Sequence, residues 1–226
     1  MSNPRLLPTL AVGLSALLLS GCAGGASPGV GVTVGDETIS ASRIDSATGH
    51  VCTAFSDQLQ GQQVPLSIVK QRVVQLFALS AQADQIAEEY AVSPSSAYQR
   101  EVAEHTRAAS LMPEEVREDY IEFVSSTSRT NDVVEQVGRS ELLADGVADP
   151  TVEQVTEAGA TVFDAWPDAN GVEANPKYGL TLEAGQLVPA DTNLSYAVSD
   201  EAKAGNAIEP DPAYATSLPD SQRCGD

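Results

Sequence analysis

Three cysteines carry the most distinctive chemistry in this sequence, and each stands in a different setting. Cys22 follows an apolar run and precedes Ala-Gly-Gly, whereas Cys52 and Cys224 lie far downstream. A cysteine side chain can act as a nucleophile, bind a metal or pair in a disulfide. An odd number of cysteines leaves at least one of them outside any internal pair. The first question is therefore which thiol is left over, and for what chemistry.

The segment ahead of Cys22 has the layout of a secretory signal. One basic residue, Arg5, precedes an almost wholly apolar stretch at residues 6–19, and small residues follow. This stretch is shorter than the ~20 apolar residues that a membrane-spanning helix needs. Residues 19–22, Leu-Ser-Gly-Cys, resemble a bacterial lipobox, in which the signal is cut before the cysteine and the thiol is acylated. We therefore expect residues 1–21 to be a lipoprotein signal peptide and Cys22 to carry a membrane anchor; an ordinary signal peptide is the alternative.

Export changes what is expected of the other two cysteines. In an exported and oxidising compartment, two surviving thiols are more easily paired than free. The sequence therefore predicts a disulfide between Cys52 and Cys224, with two free thiols as the alternative. A catalytic thiol has weaker support, because His50 forms only a His-x-Cys pattern and the one other histidine is His105. Both histidines are expected on helix surfaces.

Charge and composition limit the partners and the core. The chain has 32 acidic and 12 basic residues, a net charge of −20. Such a surface repels nucleic acid, whose binding depends on Lys and Arg, and also repels anionic lipid headgroups. We therefore expect no nucleic-acid partner and a membrane association that depends on the lipid alone. Because aromatic residues make up only 5% of the chain, the core is expected to consist mainly of Ala, Val, Leu and Ile.

The hydrophobic pattern predicts a mainly α fold with a few short β-strands from the N- and C-terminal segments. Residues 22–31 are rich in Gly, Ala and Ser and are expected to form a flexible lipid tether. The alternation of Val30, Val32 and Val34 before a Gly-Asp turn predicts a short strand or hairpin. Helical spacing then predicts five helices, at residues 40–60, 65–91, 93–111, 113–143 and 150–166. Ser40 or Ser42 is expected to cap the first helix, and Ser93 the third.

The C-terminal third has a different pattern. Residues 172–182 and 185–189 are predicted to form two short strands around a turn, and residues 192–205 a short helix or loop. Residues 201–226 contain several prolines and are expected to form an extended tail that Cys224 pins to the domain. The helical domain itself is assigned to residues 32–200.

Two stretches resemble the N-terminal region of SurA/PrsA-type extracytoplasmic chaperones, which is related in fold to the peptide-binding region of trigger factor. They are VGDETISASRID and IVKQRVVQLFALSAQADQIAEEYAVSPS; a third, ANPKYGLTL, resembles the strand that returns to this lobe. Val73, Val74 and Phe77 replace the leucines that are usual in the long helix, and Ala91 stands where Gly is common. The resemblance implies a multi-helix SurA-N-like domain over residues 32–200.

The same resemblance implies binding without catalysis. Many relatives insert a parvulin-type prolyl isomerase domain with paired histidines, but residues 111–175 contain no histidine and few glycines. The chain also lacks the sequence motifs of serine hydrolases, P-loop nucleotidases, dithiol oxidoreductases, zinc proteases and calcium loops. We therefore expect no enzyme activity, no metal and no small-molecule cofactor.

The predicted function is that of a lipid-anchored, extracytoplasmic chaperone-like protein on the cell membrane. Its partners are expected to be unfolded or nascent secreted polypeptides, held in a cradle of the helices that begin near Pro65 and Pro113. The alternative is a structural or assembly lipoprotein that binds one folded cell-envelope partner. Five large residues are candidates for contact with polypeptide, each with a plain core role as the alternative: Phe77, Tyr90, Tyr120, Phe123 and Trp166.

Overall fold

The structure is a computed structural model that describes residues 28–192, 196–205, 207 and 212–225. The predicted signal peptide, Cys22 and most of the predicted tether lie outside these residues. The described part is mainly helical, with short antiparallel strands near the two ends of the chain, which confirms the predicted fold class. No helix within the described ranges is long and apolar enough to cross a membrane.

Seven helices occur in the described part of the chain. They are α1 Ala41–Leu59, α2 Leu66–Glu89, α3 Ser96–Ala109, α4 Glu114–Ala144, α5 Val152–Asn170, α6 Asp200–Gly205 and α7 Pro212–Ser217. The five long ones correspond to the five that hydrophobic spacing predicts.

Hydroxyl side chains cap the N-termini of three of the long helices. Ser40 accepts a hydrogen bond from the Arg43 N–H at 3.1 Å, one of the two caps expected for α1. The prediction of Ser93 as the cap of α3 is wrong, because Ser95 holds this position and accepts from the Tyr98 N–H. An N-cap residue directly precedes the first helical residue and accepts from the amide two or three positions later; because α3 begins at Ser96, Ser95 holds this position.

Short strands join the two ends of the domain. They are β1 Val30–Val34, β2 Glu37–Ser40, β3 Val64–Pro65, β4 Val172–Ala174, β5 Leu180–Glu183, β6 Gln186–Pro189 and β7 Arg223–Cys224. β1 lies between β2 and β4, and both pairs are antiparallel. β3 pairs with β7, and β5 forms a hairpin with β6.

The structure differs in three places from the segments that the sequence predicts. β1 begins at Val30, two residues before the predicted start of the helical domain. Residues 172–182 form two strands rather than one, since a 3-10 turn at Pro176–Tyr178 separates β4 from β5. The C-terminal tail is not extended throughout, because α7 packs on β3 and buries Ala215 completely.

Helix α2 lies at the centre of the molecule. Its buried face of Val, Ala, Phe and Ile residues packs against α1, α4 and β1 in one continuous core. Four of its glutamines also donate side-chain hydrogen bonds to backbone carbonyls of surrounding segments: Gln71 to Gly179, Gln75 to Leu187, Gln82 to Phe163 and Gln85 to Val34. An amide buried near a core is costly unless it is bonded, so these contacts specify how the surrounding segments sit on α2.

Helices α4 and α5 cross at very close range through two glycines. A Cβ added to Gly138 would collide with the carbonyl oxygen of Val155, and one added to Gly159 would collide with that of Val134. The helices can approach this closely only because neither position carries a side chain. Glycine inside a helix is otherwise unfavourable by about 1 kcal/mol relative to alanine.

This geometry predicts that Gly159→Ala lowers the free energy of unfolding by about 1–3 kcal/mol, since the added methyl must push two helix backbones apart. Gly49→Ala is the matched control, because Gly49 lies inside α1 with nothing within 4 Å of an added Cβ. That control should raise the unfolding free energy by about 0.5–1 kcal/mol. Urea denaturation of the full-length chain measures both, and equal effects of the two substitutions would contradict the close crossing.

Candidate functional site

An apolar groove opens beside the Cys52–Cys224 bridge, and we call it the disulfide groove. Its volume is about 280 Å³. It is lined by Val51, Cys52, Phe55, Leu59, Val64, Ile68, Val69, Arg72, Phe123 and Cys224. Arg72 is the one charged residue in this set.

Helix geometry places the lining residues of α1 on one face of that helix, and those of α2 likewise. Val51, Phe55 and Leu59 are four residues apart and therefore share one face of α1. Ile68 and Arg72 have the same spacing on the first turns of α2. The groove thus lies between the end of α1 and the start of α2, with Phe123 of α4 as a further wall.

The disulfide brings the last residues of the chain to this groove. Cys52 and Cys224 are bonded, with their Cα atoms 5.5 Å apart, and Cys224 is 3% exposed. Val64 of β3 pairs with Cys224 of β7 beside the bond. Arg223 adds an ion pair to Asp220 and a hydrogen bond from Nη1 to the Gln63 side chain. The C-terminal segment is therefore held in place as one wall of the groove.

Only one of the five predicted contact residues lies in the groove. Phe123 is partly buried there, and its ring lies 5.8 Å from that of Phe55. Tyr90 is partly buried at the other end of α2, away from the groove. These two residues are not brought together.

The other three predicted contact residues belong to the interior, which corrects their assignment. Phe77 is 1% exposed and Trp166 is 6% exposed in the main core, and Tyr120 is 8% exposed in a smaller cluster between α3 and α4. The Trp166 indole N–H donates to Glu89 at 2.8 Å. Side chains this deeply buried cannot contact another polypeptide in this conformation. Their size makes them good core residues, since large aromatic rings gain most from burial.

Phe55 of α1 lines the groove but is not among the five predicted contact residues. Its ring contacts both Tyr120 at 5.7 Å and Phe123 at 5.8 Å, so it connects the groove to both apolar clusters. The sequence did hold a signal for it, because Phe55 lies four residues after Val51 on the apolar face of α1.

A charged cluster joins α1 to α4 on another face. Asp119, 7% exposed, forms an ion pair with Arg43 and accepts a hydrogen bond from His50 at 2.5 Å. Arg43 also donates to Glu122 at 2.8 Å and covers the ring of Phe77. His50, which is predicted on a helix surface, is partly buried, because its ring reaches Asp119 across the interface between α1 and α4.

Burial sets the charge state of Glu122 in this cluster. Desolvation raises the pKa of its carboxyl to about 7, Arg43 opposes the rise, and the nearby acids Asp119, Glu118 and Glu37 add to it. The cluster is therefore an electrostatic link between α1 and α4 whose strength varies with pH.

Among the described residues, no group of three or more His, Cys, Asp and Glu side chains is arranged to hold a metal ion.

Comparison of the chain with protein-family models, with curated proteins and with solved structures finds no match. The resemblance to SurA/PrsA-type chaperones thus rests on the sequence segments quoted above.

The raised pKa of Glu122 predicts a pH dependence of stability. Glu122 ionises near pH 4.5 in the unfolded chain but only near pH 7 in the folded one, so its contribution to stability is present below pH 4.5 and lost as the pH rises to about 7. The Glu122→Gln variant does not titrate at this position. Its unfolding free energy, relative to that of the native chain, should therefore increase between about pH 4.5 and 7 and then level off. Urea denaturation across this range tests it, and a difference that stays constant would contradict the buried state of Glu122.

The disulfide gives a second prediction. Closing a loop of 172 residues stabilises the folded state by at most about 5 kcal/mol through the lost entropy of the unfolded chain. The Cys52→Ser, Cys224→Ser double variant should therefore unfold at lower urea, and trypsin should cut near Arg223 more quickly than in the native chain. A native chain that titrates with two free thiols after denaturation without reductant would disprove the bond.

Proposed function

We propose that the protein is a lipid-anchored, extracytoplasmic chaperone-like protein that binds unfolded or nascent exported polypeptides in the disulfide groove, without prolyl isomerase activity. The observation that carries this proposal is the groove itself. Its walls include partly exposed Phe55, Leu59, Ile68 and Phe123, and its backbone frame is fixed by a disulfide. A preformed apolar concavity of this kind is the usual form of a binding site.

The size of the groove supports weak and transient binding. At about 280 Å³ it lies just below the range for ligand pockets, roughly 300–1,000 Å³. Burying one large apolar side chain contributes only about 1.5–3 kcal/mol, so a short segment of an unfolded chain would be held loosely. Loose binding allows the chain to be released for folding.

The acidic surface supports the same function in a second way. A net charge of −20 keeps a complex with an apolar chain soluble, because the complexes repel one another. The lipid proposed on Cys22 would hold the groove at the extracytoplasmic face of the membrane, where exported chains emerge unfolded. The competing function, docking of one folded envelope partner, would use the same groove for a single sequence.

The test is suppression of aggregation by the full-length chain in phosphatidylcholine nanodiscs. A chemically unfolded secreted protein is diluted into it, and light scattering is compared with that in empty nanodiscs and with an equally acidic control protein. We expect suppression at near-stoichiometric ratios, and we expect Leu59→Ser to weaken it because this change makes the groove wall polar. Leu143→Ser is the matched control, since Leu143 is an exposed leucine at the end of α4, outside the groove.

Two results would overturn the proposal. One is scattering equal to that of the control protein, which would favour the single-partner function. The other is equal weakening by Leu59→Ser and Leu143→Ser in chains with unchanged circular dichroism, which would place any binding outside the groove.

A further inference from the structure

We propose that the disulfide groove selects apolar polypeptide segments that contain an acidic side chain, whose carboxylate binds Arg72. This inference rests on the proposed function and names the class of segment that the groove prefers. The overall net charge of −20 favours basic partners, whereas the surface around Arg72 would favour an acidic side chain.

Arg72 stands between two cavities that have no acidic lining residue. On one side is the disulfide groove, and on the other is a cavity of about 170 Å³ between α2 and the β5–β6 hairpin. Leu76, Leu79, Leu187 and Val188 contribute apolar walls to the second cavity, together with three glutamines. The two cavities share Arg72, and neither has a carboxylate in its lining although the chain has 32 acidic residues.

Arg72 is also the one lysine or arginine in the described ranges that makes no ion pair, hydrogen bond or ring contact. The other cations are engaged: ion pairs hold Arg43, Lys70, Arg107, Arg129, Arg139, Lys203 and Arg223, hydrogen bonds hold Arg100 and Arg117, and Lys177 lies over the ring of Tyr178. The guanidinium of Arg72 is thus exposed and available to a ligand.

A carboxylate is the group that this arrangement fits best. Guanidinium presents two parallel N–H donors that match the two oxygens of a carboxylate. The contact would form against an apolar wall, where the effective dielectric constant is lower than in water and the attraction is stronger. An anionic lipid surface is a poorer fit, since electrostatic binding to membranes requires clusters of about 4–8 basic residues.

The occupant is therefore a segment with an Asp or Glu flanked by apolar residues. The apolar flanks would lie in the disulfide groove and in the cavity beside the β5–β6 hairpin, and the carboxylate would lie between them on Arg72. This pairing would fix the register of an otherwise featureless apolar segment.

Three synthetic peptides test the inference by isothermal titration calorimetry with the full-length chain in phosphatidylcholine nanodiscs. They have the same apolar flanks, are blocked at both termini, and differ only in a central Asp, Asn or Lys. The Asp peptide is expected to bind about tenfold more tightly than the Asn peptide, and the Lys peptide most weakly. The Asp preference should shrink at about 1 M salt, where the Debye length falls to about 3 Å.

Substitutions at Arg72 identify the residue responsible. Arg72→Gln should abolish the preference for Asp over Asn, Arg72→Lys should keep part of it, and Arg72→Glu should transfer it to the Lys peptide. Arg100→Gln, an exposed arginine of α3, is the control that should change nothing. Exchange of preference in the charge-reversed variant is a result that a purely structural role of Arg72 would not produce.

The outcomes separate this inference from the proposed function. If all three peptides bind equally and Leu59→Ser weakens them all, the groove binds apolar segments but Arg72 selects nothing, and this inference is wrong. If the Asp preference survives Arg72→Gln, it is also wrong. If none of the peptides binds, this inference is wrong, and the proposed function is then decided by the aggregation test alone.

Discussion

The burial of α2 is the constraint on which the rest of the structure depends. One face of this helix is apolar and packs on α1, α4 and β1, while its glutamines bond to carbonyls of β1, α5 and β6. The apolar contacts supply most of the free energy, and the amide bonds add directionality, because a buried glutamine is stable only where an acceptor meets it. Segments far apart in the chain are therefore placed relative to one another by a single helix.

The first turns of α2 are the exception to this coverage. Helices α4 and α5 cover the later part of α2, whereas Ile68, Val69 and Arg72 line the disulfide groove with the end of α1, the β3–β7 pair and Phe123. Here the disulfide anchors β7 beside α2, so a covalent bond holds the segment that covers this part of the helix. The disulfide groove lies between the start of α2 and the C-terminal segment that the disulfide holds.

The helices follow from the sequence because local signals specify them, whereas the cysteine pair follows from the number of cysteines and the expected oxidising compartment. Apolar spacing marks α1 to α5, and Ser40 can cap only the helix that follows it. The roles of Phe77 and Trp166 could not be found in the same way, since an aromatic residue on an amphipathic helix has the same pattern whether it contacts the core or a ligand. Their burial depends on which distant segments cover them, namely Arg43 from α1 and Glu89 from α2. Phe55 and the helical Gly138 and Gly159 did carry local signals, the apolar spacing of α1 and the cost of glycine in a helix.

Distance determines how an acidic protein can still hold a carboxylate. The net charge of −20 acts over the whole surface, but salt at physiological strength screens it within about 8 Å. The Arg72 guanidinium acts at contact distance, where screening is slight, and no lining residue of the groove or of the cavity beside it opposes it. A segment with one carboxylate would therefore meet weak repulsion on approach and a specific attraction once its apolar flanks lie in the groove. A segment with many carboxylates would be repelled at every other point of the surface, so the proposed selection favours a single acidic side chain in an apolar context.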